Sequence, residues 1–181
     1  MLIETLFLKT INMKKDDLTK LQQQVFDLVL LQSMTFQGAA NQLGVELNDV
    51  RKADSEIRTG MRDLIKVRDL WKRKKIGGDF WSFSEWYDSQ PHQCIYCGIS
   101  EAELQLLHDH KLIENKRIFR GKTLEIERRK ANEAYNNLGN LSFACYWCNN
   151  AKTDTFSEDE FKAIGKAIGE VWRKRLNQIK R

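Results

Sequence analysis

The chain of 181 residues has one proline, Pro91, and four cysteines, none of them outside two C-x2-C pairs. It has no long apolar run. The longest, FDLVLL, falls far short of the roughly 20 residues that cross a bilayer. The opening MLIETLFLKT is apolar but lacks a basic leading region and a small-residue cleavage site, so it is not read as a signal peptide. Internal repeats and low-complexity tracts are also missing. These absences exclude membrane-spanning, fibrous and disordered classes and leave an ordinary globular composition, 41% hydrophobic and 30% charged.

The charge balance is basic, +5 with a pI near 9.0. WKRKK at 71–75 and WRKRLNQIKR at 172–181 concentrate it. Such runs serve a polyanion partner or form solvated helix faces. The cysteine pairs are Cys94 with Cys97 and Cys145 with Cys148. Without an export signal the expected compartment is reducing, where disulfides rarely persist. Four thiolates in two such pairs match a closed, tetrahedral structural zinc site; disulfides or free thiols are the other reading.

Gly77 and Gly78, after the basic run, mark a boundary that divides the chain into 1–77 and 78–181. The first part reads as helical. Leu18, Leu21, Val25, Leu28 and Val29 recur at helix spacing. Thr35 caps a second helix through Leu43, with Ala39 and Ala40 inward, and Gly44 supplies a turn. A third pattern starts near Leu47 and runs through Val50, Ile57, Met61, Leu64 and Ile65 toward Lys75. In the second part, 120–128 and 141–145 read as strands, and the second cysteine pair opens a helix. Ser157 with Glu160 caps a last helix, whose apolar stripe is Phe161, Ile164, Ile168, Val171 and Trp172.

LEIER followed by NLGNLSFACYWCNNAK therefore reads as strand, loop, strand and helix, with the cysteines at the last junction. Glu127 ends the first strand and Asn149 lies in the first turn of the helix. Packing the helix on the hairpin brings both toward one point, where a hard cation such as Mg²⁺ takes oxygen ligands. On these elements the segment from about 94 to 161 resembles the HNH endonucleases of the ββα-metal fold, in their four-cysteine zinc-bearing form. The elements are C-x2-C, an acidic residue closing a strand, Asn140-Leu141, a second C-x2-C, then Asn149 and Lys152. The resemblance implies that Glu127 and Asn149 hold the catalytic divalent cation. It implies that Asn140 ties down the interstrand loop; an ordinary turn residue is the other reading. Lys152, one turn after Asn149, is expected to touch a phosphate or to be a solvated lysine.

One departure stands out. Where the family has its general-base histidine, directly after the acidic residue, this chain has Arg128. Arginine stays protonated; it can bind phosphate bidentately and stabilise transition-state charge. Candidates for activating water are Tyr135, His108, His110 and metal-bound water. Tyr135 also reads as a packed loop aromatic, and the two histidines as ordinary polar residues.

The segment 18–53 resembles a helix-turn-helix of the sigma-factor or response-regulator type, through Ala40, Gly44 and Val50. That resemblance implies a third helix in the major groove, exposing Asn48, Arg51, Lys52 and Ser55, with Arg51 or Asn48 reading base edges. Asp49 and Asp54 on the same stretch oppose phosphate, and a plain three-helix bundle fits the pattern too. Lys72 and Arg73 are expected along the DNA backbone.

The expectation is a mainly α fold with a small β-hairpin: a helix-turn-helix-like domain before an HNH nuclease domain. The expected activity is metal-dependent hydrolysis of phosphodiesters in double-stranded DNA, as a restriction-type homodimer, cytoplasmic, prokaryotic or phage-encoded. The expected cofactors are structural Zn²⁺ and catalytic Mg²⁺ or another divalent ion. Alternatives are a DNA-binding regulator with an inactive zinc module, a homing or phage HNH nuclease, and an RNA-cleaving enzyme.

Overall fold

The computed structural model describes residues 15–113 and 120–179; the apolar opening of the chain lies outside them. Among the described residues the protein is mainly α-helical with one two-stranded antiparallel sheet. It divides into two compact units between Asp88 and Ser89.

In the first unit, α1 (Lys20–Val25) starts at Thr19, which forms a capping box with Gln22, and continues as a π-helix through Phe26–Leu31. Helix α2 (Phe36–Leu43) starts where the Thr35 hydroxyl accepts from the Gly38 amide. It stops at Gly44, whose φ of 66° is the left-handed conformation that glycine adopts at least cost. Three residues later α3 (Leu47–Gly60) begins, giving helix, tight turn and helix. Val25, Phe26, Ala39, Val50 and Ile57 are fully buried or nearly so and form the core.

The pattern read as one helix from Leu47 toward Lys75 is two. Gly60, a weak helix former, ends α3, and buried Met61 leaves the helical conformation with φ −121° and ψ 47°. Helix α4 (Arg62–Lys74) follows. The aromatic helix α5 (Phe80–Ser89) belongs to this unit although the glycine pair precedes it. Phe80 and Trp81 lie 5.3 and 5.0 Å from Phe26, and the Trp81 indole N–H donates to Asp27 at 3.0 Å. Packing thus carries the chain past its glycine-marked boundary.

In the second unit the first cysteine pair forms a tight knuckle. Gly98 donates to the Cys94 carbonyl and Ile95 to that of Phe143, at 2.8 and 2.9 Å. Helix α6 (Glu101–Asp109) starts at a Ser100–Glu103 capping box. Strand β1 (Glu125–Arg128) pairs with β2 (Leu141–Ala144), Glu127 opposite Ser142. Both strands are shorter than the sequence patterning suggests, because only these four residues of each find partners. Helix α7 (Tyr146–Lys152) follows at once, and α8 (Glu158–Ile179) starts at the Ser157–Glu160 capping box.

The inner face of α8 keeps Phe161, Ile168 and Trp172 of the expected stripe but not Ile164 and Val171. Ile164 and Val171 are exposed, whereas Phe161, Gly165, Gly169 and Trp172 are buried. The reason is steric. A Cβ at Gly169 would stand 2.5 Å from the Cys97 carbonyl oxygen, and one at Gly165 2.8 Å from Tyr96. The cysteine knuckle rests on the bare backbone of α8, which rotates the two larger aliphatics outward.

Candidate active site

The four cysteine sulfurs lie within 4.8 Å of one another, all buried and none in a disulfide. Cys97 and Cys145 are 3.7 Å apart, against about 3.8 Å for the edge of a tetrahedron with 2.3 Å zinc–sulfur bonds. The donor set and its spacing fit one tetrahedral zinc ion. The Cys145 sulfur caps α7 by accepting from the Cys148 amide at 3.4 Å. Hydrogen bonds from Cys145, Cys148 and Cys97 hold Cys94 well below the usual thiol range, and contacts with Cys145 push Cys148 well above it. Crowded thiols cannot all ionise unaided; a dication lets them.

The hairpin and α7 build a second centre beside this cluster. Asn149 follows Cys148 and is turned about 100° from it around the helix, away from the sulfurs. Lys152 comes one turn later. On β1, Glu125 and Glu127 are two residues apart and share one face of the strand. Two rungs join helix to strand. The Asn149 amide donates to Glu125 at 2.5 Å, and the Lys152 ammonium donates to Glu127 at 3.0 Å.

Lys152 is therefore not a phosphate contact in this structure, nor a solvated lysine. It is completely buried, and its ammonium also donates to the Arg128 carbonyl at 3.3 Å. Packing α7 across β1 leaves it no path to solvent, and the Glu127 carboxylate compensates its charge. The hydroxyl of Tyr96, from the first cysteine knuckle, donates to the same Glu127 oxygen at 3.4 Å. Burial pushes the Glu127 carboxyl above its ordinary range, against the opposing pull of Lys152, Tyr96 and Arg128. Burial likewise raises the Tyr96 phenol.

Asn140 is buried and grips the Lys130 backbone twice, accepting from its amide at 2.8 Å and donating to its carbonyl at 3.0 Å. This closes the loop between the strands. The Arg128 guanidinium lies over the Tyr135 ring at 5.0 Å and donates to the Glu133 carbonyl at 3.3 Å and to Asp154 at 3.4 Å. His108 and His110 sit at the end of α6, bonded to the carbonyls of Gly121 and Leu106. In the first unit Asn48, Arg51, Lys52 and Ser55 are all exposed on α3. Asp54 is turned inward and ion-paired to Arg58 at 2.7 Å, so the expected repulsion of phosphate from this residue does not arise. The Lys72 ammonium donates to Ser33 at 3.1 Å, while Arg73 is exposed.

The sequence reading passed over Glu125, Tyr96 and the pair Gly165 and Gly169. Glu125 carried a legible signal, its two-residue offset from Glu127 on one strand face. The glycine spacing of four on α8 carried another.

A mainly α protein whose four-thiol cluster pins a hairpin to a short helix bearing asparagine resembles the zinc-bearing HNH type. No family model matches the sequence, and no curated protein does. Among solved structures the chain is similar to the rare-cutting HNH restriction endonuclease PacI. The two are 29% identical over 61% of this chain and 76% of that one, with a TM-score of 0.47. No helix among the described residues is long and apolar enough to cross a membrane.

Proposed function

We propose that the chain is a metal-dependent endonuclease that hydrolyses phosphodiester bonds in double-stranded DNA, a restriction-type enzyme acting as a homodimer. The observation that carries this reading is the docking of Asn149 and Lys152 of α7 on Glu125 and Glu127 of β1, next to the thiol cluster. Oε1 of Glu127 takes both Lys152 and Tyr96, and the nitrogen of the Asn149 amide is taken by Glu125. Oxygens of Glu127 and Asn149 are left for a hard divalent ion, Mg²⁺ or a similar one, which prefers such donors and leaves room for phosphate. When bound, that ion supplies charge stabilisation at the scissile phosphate and its leaving oxygen.

The chain's own residues do the rest. Zinc and the cysteines fix hairpin against helix. Arg128 offers a fixed positive charge to phosphate oxygens. Tyr135, lying under the Arg128 guanidinium, is the candidate for orienting the attacking water through its hydroxyl. Asn140 keeps the loop that carries Tyr135 closed. In the first unit the exposed face of α3, with Asn48, Arg51, Lys52 and Ser55, is suited to a major groove, and Arg73 to the phosphate backbone. A two-fold symmetric site would be read by a symmetric dimer.

Arg128 in place of a base favours a second reading, a DNA-binding regulator with a purely structural zinc module. Plasmid cleavage with Mg²⁺ or Mn²⁺ separates the two. The wild type is expected to nick or linearise DNA and Asn149→Ala to lose this activity. A wild type that cuts no DNA with any divalent ion refutes the nuclease reading and leaves the regulator.

A further inference from the structure

We propose that Glu125 is a positioning residue for the divalent ion: its carboxylate holds the Asn149 side chain in the one orientation that presents oxygen to the cation. The proposal rests on the nuclease reading of this site. It adds a residue that the HNH-like pattern above does not assign.

A primary amide has two ends of nearly the same shape and opposite chemistry, an acceptor oxygen and a donor NH₂. A hard cation takes only the oxygen. An asparagine free to turn offers either end and several side-chain rotamers, and binding the ion must order all of these at a cost in affinity. A carboxylate removes the choice, because it can only accept. The Asn149 Nδ2 lies 2.5 Å from Glu125 Oε2, so the amide nitrogen is committed to the strand and Oδ1 is turned away from it.

The bond is charge-assisted and partly buried, the stronger kind of hydrogen bond. Its geometry is fixed from both sides. Glu125 is held in the sheet opposite Ala144, and Asn149 follows directly on the buried Cys148. The parallel rung from Lys152 to Glu127 stops the helix from sliding along the strand. Glu125 thus stands to Asn149 as the hydrogen-bond partners of metal-bound histidines stand to their rings, fixing which atom faces the ion.

The test is Mn²⁺ affinity, followed by the paramagnetic signal of the free ion, on zinc-loaded protein. Glu125→Ala is expected to weaken Mn²⁺ binding about 10- to 100-fold, with zinc content unchanged. Its DNA cleavage is expected to recover as Mn²⁺ is raised, since the defect lies in holding the ion. Glu125→Gln keeps an acceptor oxygen for the Asn149 amide and is expected to restore most of the affinity that Glu125→Ala loses. Wild-type affinity in Glu125→Ala overturns the proposal. So does an equal loss in both variants, which would make the carboxylate itself a ligand. Unchanged Mn²⁺ affinity in Asn149→Ala is a different failure: it removes the metal site and the nuclease reading with it.

Discussion

Replacing Lys152 with methionine tests how the second unit holds its buried charges. The methionine chain nearly fills the space of the lysine stem but supplies no ammonium. Glu127 would keep its place, with a side chain only 9% exposed, and would lose its ion-pair partner. Removing one member of a buried pair costs about 3–5 kcal/mol, because the other charge is left uncompensated. The Arg128 carbonyl loses a donor as well, for roughly a further 1 kcal/mol. Urea denaturation of zinc-loaded Lys152→Met, without added magnesium, is expected to show that loss near neutral pH. Glu127→Gln combined with Lys152→Met is expected to regain most of it, since a neutral amide can still accept from Tyr96. The pH dependence follows from the raised Glu127 carboxyl. A carboxyl raised by folding favours the folded state at pH below its unfolded value, and that contribution is lost as pH rises through the folded value. Without Lys152 the shift grows, so the defect should shrink on acidification and deepen toward alkaline pH. A single variant within about 1 kcal/mol of wild type, or a double variant no better than the single, would refute the paired burial of these residues.

Gly169→Ala should destabilise the second unit by about 1–3 kcal/mol, since the added carbon meets backbone that cannot move aside; thermal melting and slower zinc retention on chelator challenge would report it. Removing zinc, or Cys148→Ser, should unfold the knuckle, α7 and the hairpin together while α1 to α5 keep their helical signal, and circular dichroism during chelation checks this. In the first unit, Arg51→Ala should weaken DNA binding by about 1–3 kcal/mol if Arg51 reads a base edge, with specificity relaxed at one position. Competition between the cognate site and random duplex at fixed salt measures both.

Much of the site was legible in the chain because it is written in local spacing. Two C-x2-C pairs specify a tetrahedral cluster whatever lies between them. Thr35, Gly44 and the Ser157–Glu160 pair mark helix ends through contacts only three or four residues long, and each does so in the structure. Asn149 directly after Cys148 is turned off the sulfurs by the pitch of the helix alone.

Other features depend on contacts between distant segments. Lys152 read as a surface residue because nothing nearby in sequence says that α7 lies flat on β1. Ile164 and Val171 fell out of the stripe on α8 because two glycines, invisible to hydrophobic periodicity, let the Cys94–Cys97 knuckle approach more closely than any side chain permits. Asp54 read as a charge on an exposed face, yet it turns inward against Arg58.

The sequence by itself determined the thiol cluster, the helix boundaries marked by caps and glycines, and the residue types available to the site. Tertiary structure decided which carboxylate meets which partner: Glu125 takes the amide and Glu127 takes the lysine. The physical reason is one of scale. Periodicity puts Glu125 and Glu127 on one face, but their partners depend on how far the helix is slid along the strand. A shift of about 7 Å, two strand residues, would bring either Asn149 to Glu127 or Lys152 to Glu125 and leave the other side chain without its carboxylate, and only the packed core sets that offset.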